Sequence, residues 1–238
     1  MTRPTTPSPH PALMPTTALA TALLLGACAA VQPARMALPA GLDTRTESLH
    51  VQGLGGKRRG DLAVGAARGR FDRNADQLSV FGMLEFDRGG ARYTLQAAGA
   101  AEVEAQCRQR QTGGQAGVLA LPLRPYAAAC QWRHGARLTL EADPRAARTQ
   151  DGRQGRYDDA GVQLQLSSVH TLRGSPLPLA APAGYTFTHQ GVVVGAIDLT
   201  DSARPLLWRP PAGQPLHDAV THAALALALM WDPAGRTP

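Results

Sequence analysis

Apolar and polar residues alternate along most of the chain from Glu47 onward. "LSVFGMLEF" sets Leu78, Val80, Leu84 and Phe86 on one face. "ARYTLQA" opposes Tyr93, Leu95 and Ala97 to Arg92, Thr94 and Gln96. "ARLTLEA" opposes Leu138 and Leu140 to Arg137, Thr139 and Glu141, and "GVQLQLSSV" opposes Val162, Leu164 and Leu166 to Gln163, Gln165 and Ser167. Successive strand residues point to opposite faces, so this period of two predicts antiparallel sheet with one wet face. Turns are expected at Gly55-Gly56, Asp72–Asn74, Gly89-Gly90 and Gly113-Gly114. Two stretches break the rhythm. Asp143–Asp159 has almost no apolar residue and reads as a long solvated loop, and Arg173–Gly184 is a Pro-rich connector. Three further short strands follow in "YTFTH", "VVVGAIDL" and "PLLWRP".

The period then changes. "QPLHDAVTHAALALALMWDP" predicts a helix over 215–231, with Pro215 in its first turn, Asp218 at the positive end of the dipole and Pro233 beyond its end. From Ala223 to Trp231 every residue is apolar. A surface helix keeps a polar stripe, whereas one apolar all round is enclosed. The expected fold is therefore mainly β: an antiparallel barrel of about 11–12 strands around a buried carboxy-terminal helix. Alanines at 223, 224, 226 and 228 keep that helix thin. The alternative is a β-sandwich or open sheet with the helix packed on one face.

This order of elements over 47–232, carried mostly by "YTFTHQGVVVGAIDL", "PLLW" and "AVTHAALALALMW", resembles the tubby and LURP-one superfamily, which includes the phospholipid scramblases. The resemblance implies a twelve-stranded barrel enclosing a hydrophobic helix, and binding of membrane lipids. It identifies no pocket residue.

The amino-terminal apolar run "LATALLLGACAA" is too short for a span, which needs roughly 20 apolar residues. Its length suits the h-region of a signal peptide. Leu25-Gly26-Ala27-Cys28 resembles the lipobox of bacterial lipoproteins. That resemblance implies cleavage before Cys28, acylation of Cys28 (palmitate among the chains), and retention at the periplasmic face of the outer membrane, since residue 29 is alanine rather than aspartate. Several acyl chains hold a protein firmly. The expected organisation is a signal peptide over 1–27, an Ala- and Pro-rich tether over 28–46 and one domain over 47–232.

Export changes how the cysteines read. Cys107 and Cys130 remain after Cys28, and an even pair in an oxidising compartment suggests a disulfide. Cys107 shares a face with Val103 and Ala105, and Cys130 with Tyr126, Ala128 and Trp132, so both thiols point to apolar sides. Two separate buried thiols are the alternative.

Charge adds less. The net charge is +6, from 24 basic and 18 acidic residues, and Lys57 is the sole lysine. The arginine and alanine excess fits a GC-rich coding bias, and an exported protein meets no nucleic acid, so that partner is excluded. Basicity favours anionic lipid headgroups instead. In "GLGGKRRGD" the spacing is wrong for a phosphate loop, and no Ser or Thr follows Lys57 to ligate magnesium. Lys57, Arg58 and Arg59 are the candidate headgroup contacts.

Other chemistry is sparse. His217 and His222 are five apart, wrong for a shared zinc face, and no third ligand is visible. His170 reads as a hydrogen-bonded core histidine, and His189 and Asp198 flank a hairpin across which they would pair. Asp158-Asp159 fall in the polar loop, and Trp132, Trp208 and Trp231 read as core or rim anchors. No G-x-S-x-G elbow appears. No catalytic residue, metal or cofactor is implied. The expected function is a noncatalytic binding or envelope-maintenance module whose partner is lipid or an envelope protein. Its alternatives are a periplasmic hydrolase with a dispersed site and a structural subunit of an envelope complex.

Overall fold

The computed structural model describes residues 33–80, 84–116, 119–147 and 149–230. The expected signal peptide, Cys28 and Trp231 lie outside these residues. Twelve strands run in order: β1 (Glu47–Gln52), β2 (Arg59–Val64), β3 (Ala67–Val80), β4 (Leu84–Gln96), β5 (Val103–Ala116), β6 (Leu119–Trp132), β7 (Arg137–Ala142), β8 (Arg153–Asp159), β9 (Val162–Val169), β10 (Gly184–His189), β11 (Val192–Asp198) and β12 (Leu206–Arg209). One helix follows, α1 (His217–Leu229). Each strand pairs antiparallel with its sequence neighbours, and β12 returns to β1, closing a twelve-stranded barrel. Closure removes the exposed edges that a sandwich or open sheet would keep.

The barrel is filled by α1, whose residues Ala219–Leu229 are all buried. The apolar members form one cluster with inward side chains such as Phe71, Tyr93, Trp132, Leu138, Tyr157, Leu164 and Phe187. The expected barrel around an enclosed helix is the fold. The helix starts at His217 after Leu216 in a left-handed conformation, so Pro215 precedes it rather than occupying its first turn.

In such a meander successive turns alternate between the two ends. The upper end carries the β1–β2 turn, and β3–β6 run on beyond it. The lower end carries the β6–β7, β8–β9 and β10–β11 turns. The start of α1 also lies there, because His217 Nδ1 meets Pro210 O at 2.8 Å and Arg209 Nη1 donates to Thr221 Oγ1 at 2.9 Å.

Cys107 and Cys130 stand directly opposite each other on β5 and β6 and form a disulfide. Both are buried, as the face assignment requires. The bridge spans 23 residues, a loop whose closure is worth about 3 kcal/mol.

Four expectations are corrected. Asp72–Asn74, Gly89-Gly90 and Gly113-Gly114 are not turns; they sit inside β3, β4 and β5. Side chains of neighbouring strands use the space: a Cβ on Gly89 would lie 2.8 Å from Gln109 Nε2, and one on Gly90 2.9 Å from Asn74 Oδ1. Glycine in a strand marks such close approach as readily as a turn.

The solvated loop over Asp143–Asp159 contains strand β8. Its inward positions are Arg153, Gly155 and Tyr157, of which only Tyr157 is a large apolar group, so no alternation shows. Arg153 is nonetheless buried: it is paired with Asp151, its guanidinium lies 3.7 Å from the centroid of the Tyr126 ring, and it donates to Tyr185 Oη at 3.3 Å. A cation stacked on an aromatic face can occupy a core position that composition reads as wet.

Within "LSVFGMLEF", Leu78 lies on the outer face rather than in the core. Leu78 pairs with Phe86 across β3 and β4, and Leu78 is 61% exposed.

The tether over 28–46 is mostly part of the domain. Met36 and Leu42 are buried against Ala183, Ala196 and Trp208 on the outside of β10–β12. Met36 N donates to Asp198 Oδ2 at 3.1 Å, Thr200 Oγ1 donates to Ala34 O at 2.9 Å, and Arg173 N donates to Arg35 O at 2.8 Å. Covered on both faces, β11 reads as a continuous apolar run rather than an alternating one.

Candidate functional site

The helix occupies the barrel interior, so binding chemistry falls to the outer surface and the two ends. At the upper end, β4–β7 bound a groove of about 880 Å³ whose walls include Phe86, Arg88, Arg108, Arg110, Thr139 and Glu141. Arg88 and Arg110 are register partners on adjacent strands, and both are exposed. Like charges directly opposite destabilise a sheet, and an anion between them relieves that cost. Asp76 stands across β3 from Arg88, so the cluster is partly compensated on one side. The arginines alternate along the strands with inward residues such as Gln109 and Cys107, which keeps them on one wet face.

Lys57, Arg58 and Arg59 lie at the same end, and all three are exposed. Their backbone is fixed from within by buried Arg73. Its Nε donates to Lys57 O at 2.8 Å and its backbone N to Arg58 O at 2.7 Å. Burial lowers the Arg73 pKa from its usual range. Arg59 itself pairs in register with Asp72.

The lower end gathers a second set of groups. His134 lies in the β6–β7 turn, Asp159 ends β8 and His222 lies one turn into α1. Their ligand atoms are all within 4.8 Å of one another. His134 Nε2 is 3.4 Å from Asp159 Oδ2, to which Tyr157 Oη also donates at 3.2 Å. His222 is only 8% exposed, and its Nδ1 is buried without a hydrogen-bond partner. Burial pushes the His222 pKa down to about 4, against the opposing pull of Asp218. The ring is flanked by Trp132 and His134, with centroids 6.3 Å and 5.9 Å away. Tyr93 Oη receives Trp132 Nε1 at 3.1 Å and donates to His222 O at 3.1 Å. Burial raises the pKa of Tyr93, and burial with the adjacent Asp159 raises that of Tyr157, so both phenols stay protonated.

The remaining candidates have structural partners. His170 is buried, with Nε2 3.0 Å from Ser168 Oγ and Nδ1 3.1 Å from Leu179 O, as a hydrogen-bonded core histidine would be. Ser168 Oγ also accepts from Arg153 N at 2.8 Å, and the His170 contacts tie the Pro-rich connector to β9. His189 and Asp198 do not pair: they sit at opposite ends of the β10–β11 hairpin. His189 Nδ1 meets Gln163 O at 2.8 Å, and Asp198 is buried holding Met36 and Thr200. Asp158 and Asp159 belong to a strand end rather than a loop and have separate partners, Arg156 and His134.

No family model, curated protein or solved structure matches this chain. Its chemistry therefore rests on its own residues. Sequence reasoning identified neither Arg88 with Arg110 nor His134 with Asp159 and His222. In an up-and-down barrel alternate turns share an end, so recognising β8 would have brought 134 and 159 together. The histidine spacing within α1 concealed the third member, because its partners come from strands rather than from the helix.

Proposed function

We propose that this is a lipid-anchored, noncatalytic envelope protein whose upper end faces the periplasmic leaflet of the outer membrane and binds anionic headgroups through Arg88, Arg108 and Arg110. The observation that carries the reading is the position of Ala34. It is bonded to Thr200 in the β11–β12 turn, at the end that also bears the arginine groove and Lys57–Arg59. From an acylated Cys28 to Ala34 the chain reaches about 20 Å at most, so the anchor would hold this end close to the bilayer. Juxtamembrane basic residues each add to attraction by anionic lipid. Leu78, exposed on the outer face of the extended strands, adds an apolar contact beside the charges.

Two measurements test this. Cys28→Ala abolishes incorporation of labelled fatty acid and removes the protein from the membrane fraction; continued labelling would refute the anchor. The same unacylated protein sediments with phosphatidylglycerol-containing vesicles and not with neutral ones. Arg88→Gln with Arg110→Gln weakens that binding roughly tenfold or more at low salt. Equal binding of the double variant would refute the groove while leaving the anchor intact.

A further inference from the structure

We propose that His134, Asp159 and His222 form a binding site for one divalent transition-metal cation of the zinc type at the lower end of the barrel. The site is distinct from the arginine groove and does not depend on it.

The geometry is the first argument. Three groups from three separate elements converge with ligand atoms within 4.8 Å of one another. Ligands bonded to zinc at 2.0–2.1 Å stand about 3.3 Å apart in a tetrahedron. His134 and Asp159 already meet that spacing at 3.4 Å. The remaining closure falls to His134, whose side chain is 38% exposed and sits in a turn. The two groups on the regular elements, Asp159 and His222, form a fixed frame for it.

The second argument is the state of His222. A buried polar atom without a partner costs roughly 1–3 kcal/mol, and native proteins seldom leave one. His222 Nδ1 is such an atom. The side chain is more than nine-tenths buried, and its place is fixed from several sides. Tyr93 holds its carbonyl, Trp132 flanks its ring, and Asp218 lies one helical turn before it. A ring held in place from several sides, with one nitrogen left without a partner, is positioned to ligate a metal through that nitrogen.

The donor set decides the class of ion. Two imidazoles and one carboxylate suit zinc and its neighbours; magnesium and calcium require more oxygen donors. Tyr157 Oη, donating to Asp159 Oδ2, supplies the outer hydrogen bond that orients a ligating carboxylate. Three protein ligands leave a coordination position free for water or another small ligand. The ion would join the start of α1 to the barrel wall at two turns, so its binding would stabilise the packed helix.

The test uses the full-length protein in detergent, stripped with chelator. Titration with Zn²⁺ is expected to show one equivalent bound with micromolar or better affinity and a raised Tm. Co²⁺ is expected to give the visible absorption of a four- or five-coordinate nitrogen–oxygen site, and Mg²⁺ in large excess does not displace it. His134→Ala and Asp159→Asn each lower Zn²⁺ affinity roughly tenfold or more, remove the Tm rise and abolish the Co²⁺ spectrum. His50→Ala and His189→Ala, which change histidines elsewhere, leave all three unchanged. Because His134 is a surface residue, its variant folds even if a change at His222 does not. Zn²⁺ binding that is absent, or equal in the His134 and Asp159 variants, would overturn the proposal, and displacement by Mg²⁺ would overturn the assignment of the ion.

Discussion

The two walls of the barrel meet the same helix by opposite means. α1 comes closest to the sheet on the side of β8, β9, β11 and β12. Gly195 on β11 makes room: a Cβ there would stand 2.6 Å from Val220 Cγ1 and 2.8 Å from Trp208 O. On the side of β3–β6 the distance is bridged by large inward rings, with Phe71, Tyr93 and Trp132 reaching from the strands toward the helix. Tyr93 ends that reach in a hydrogen bond to the His222 carbonyl. An off-centre helix can thus fill a closed barrel, with Gly195 giving up side-chain volume at the close approach and the rings of β3, β4 and β6 supplying it where the helix stands off. The lesson is that the alanines of α1 and the aromatics of β4 and β6 are two halves of one volume condition.

Removing a spacer should do the greatest damage. Trp132→Ala is expected to cost about 3–5 kcal/mol in chemical denaturation, because the ring is 1% exposed and its loss leaves a void between strand and helix. It also removes the Nε1 donor to the Tyr93 hydroxyl, which keeps only its bond to the His222 carbonyl. A loss below about 1 kcal/mol would mean that the wall collapses onto the helix and that the spacing is not fixed by the rings.

Acid tests the contact between the walls at His222. The unfolded imidazole has a pKa of 6.5 and the folded one about 4, so between these values the unfolded chain binds more protons. Stability is full above pH 6.5 and falls as the pH drops toward 4, by an amount on the order of 3 kcal/mol. Asp218 and Asp159 favour the charged ring, whereas His134 and His217 oppose it. Denaturation in metal-free buffer across this range should show the loss, and His222→Gln should flatten it. A profile unchanged by that substitution would assign the acid sensitivity elsewhere.

Crowding the close wall should have the smallest effect of the three. Gly195→Ala is expected to cost about 1–3 kcal/mol through overpacking. Combining it with Val220→Ala should restore only part, because the contact with the Trp208 carbonyl remains. Full restoration would show that the side-chain contact alone sets the approach.

Much of this architecture is legible in the chain, for reasons that also explain what is not. The second half of β4, with β7 and β9, alternates cleanly because each has one wet face and a core face that includes leucine or tyrosine. The all-round apolar helix announces its enclosure, and the faces of Cys107 and Cys130 announce their bridge. β8 is silent because an arginine stacked on Tyr126 and a glycine occupy two of its core positions. Glycines 89 and 90 mimic a turn because close packing and tight bending ask for the same missing side chain. The amino-terminal segment looks like a tether because its two anchors, Met36 and Leu42, are isolated among alanines and prolines. The two candidate sites depend on register and on which turns share an end, properties of the closed sheet that no local window contains.

The order in which the pieces emerge has a consequence for assembly. The core of this barrel, α1, comes after all twelve of the strands that enclose it. During synthesis the staves are therefore present before the plug, and their inward faces have nothing to cover. Closing early would trap a hollow, unstable ring and shut the helix out. Closure between β1 and β12 is therefore expected to follow the arrival of α1, and non-local pairing of this kind folds slowly and exposes chains to aggregation.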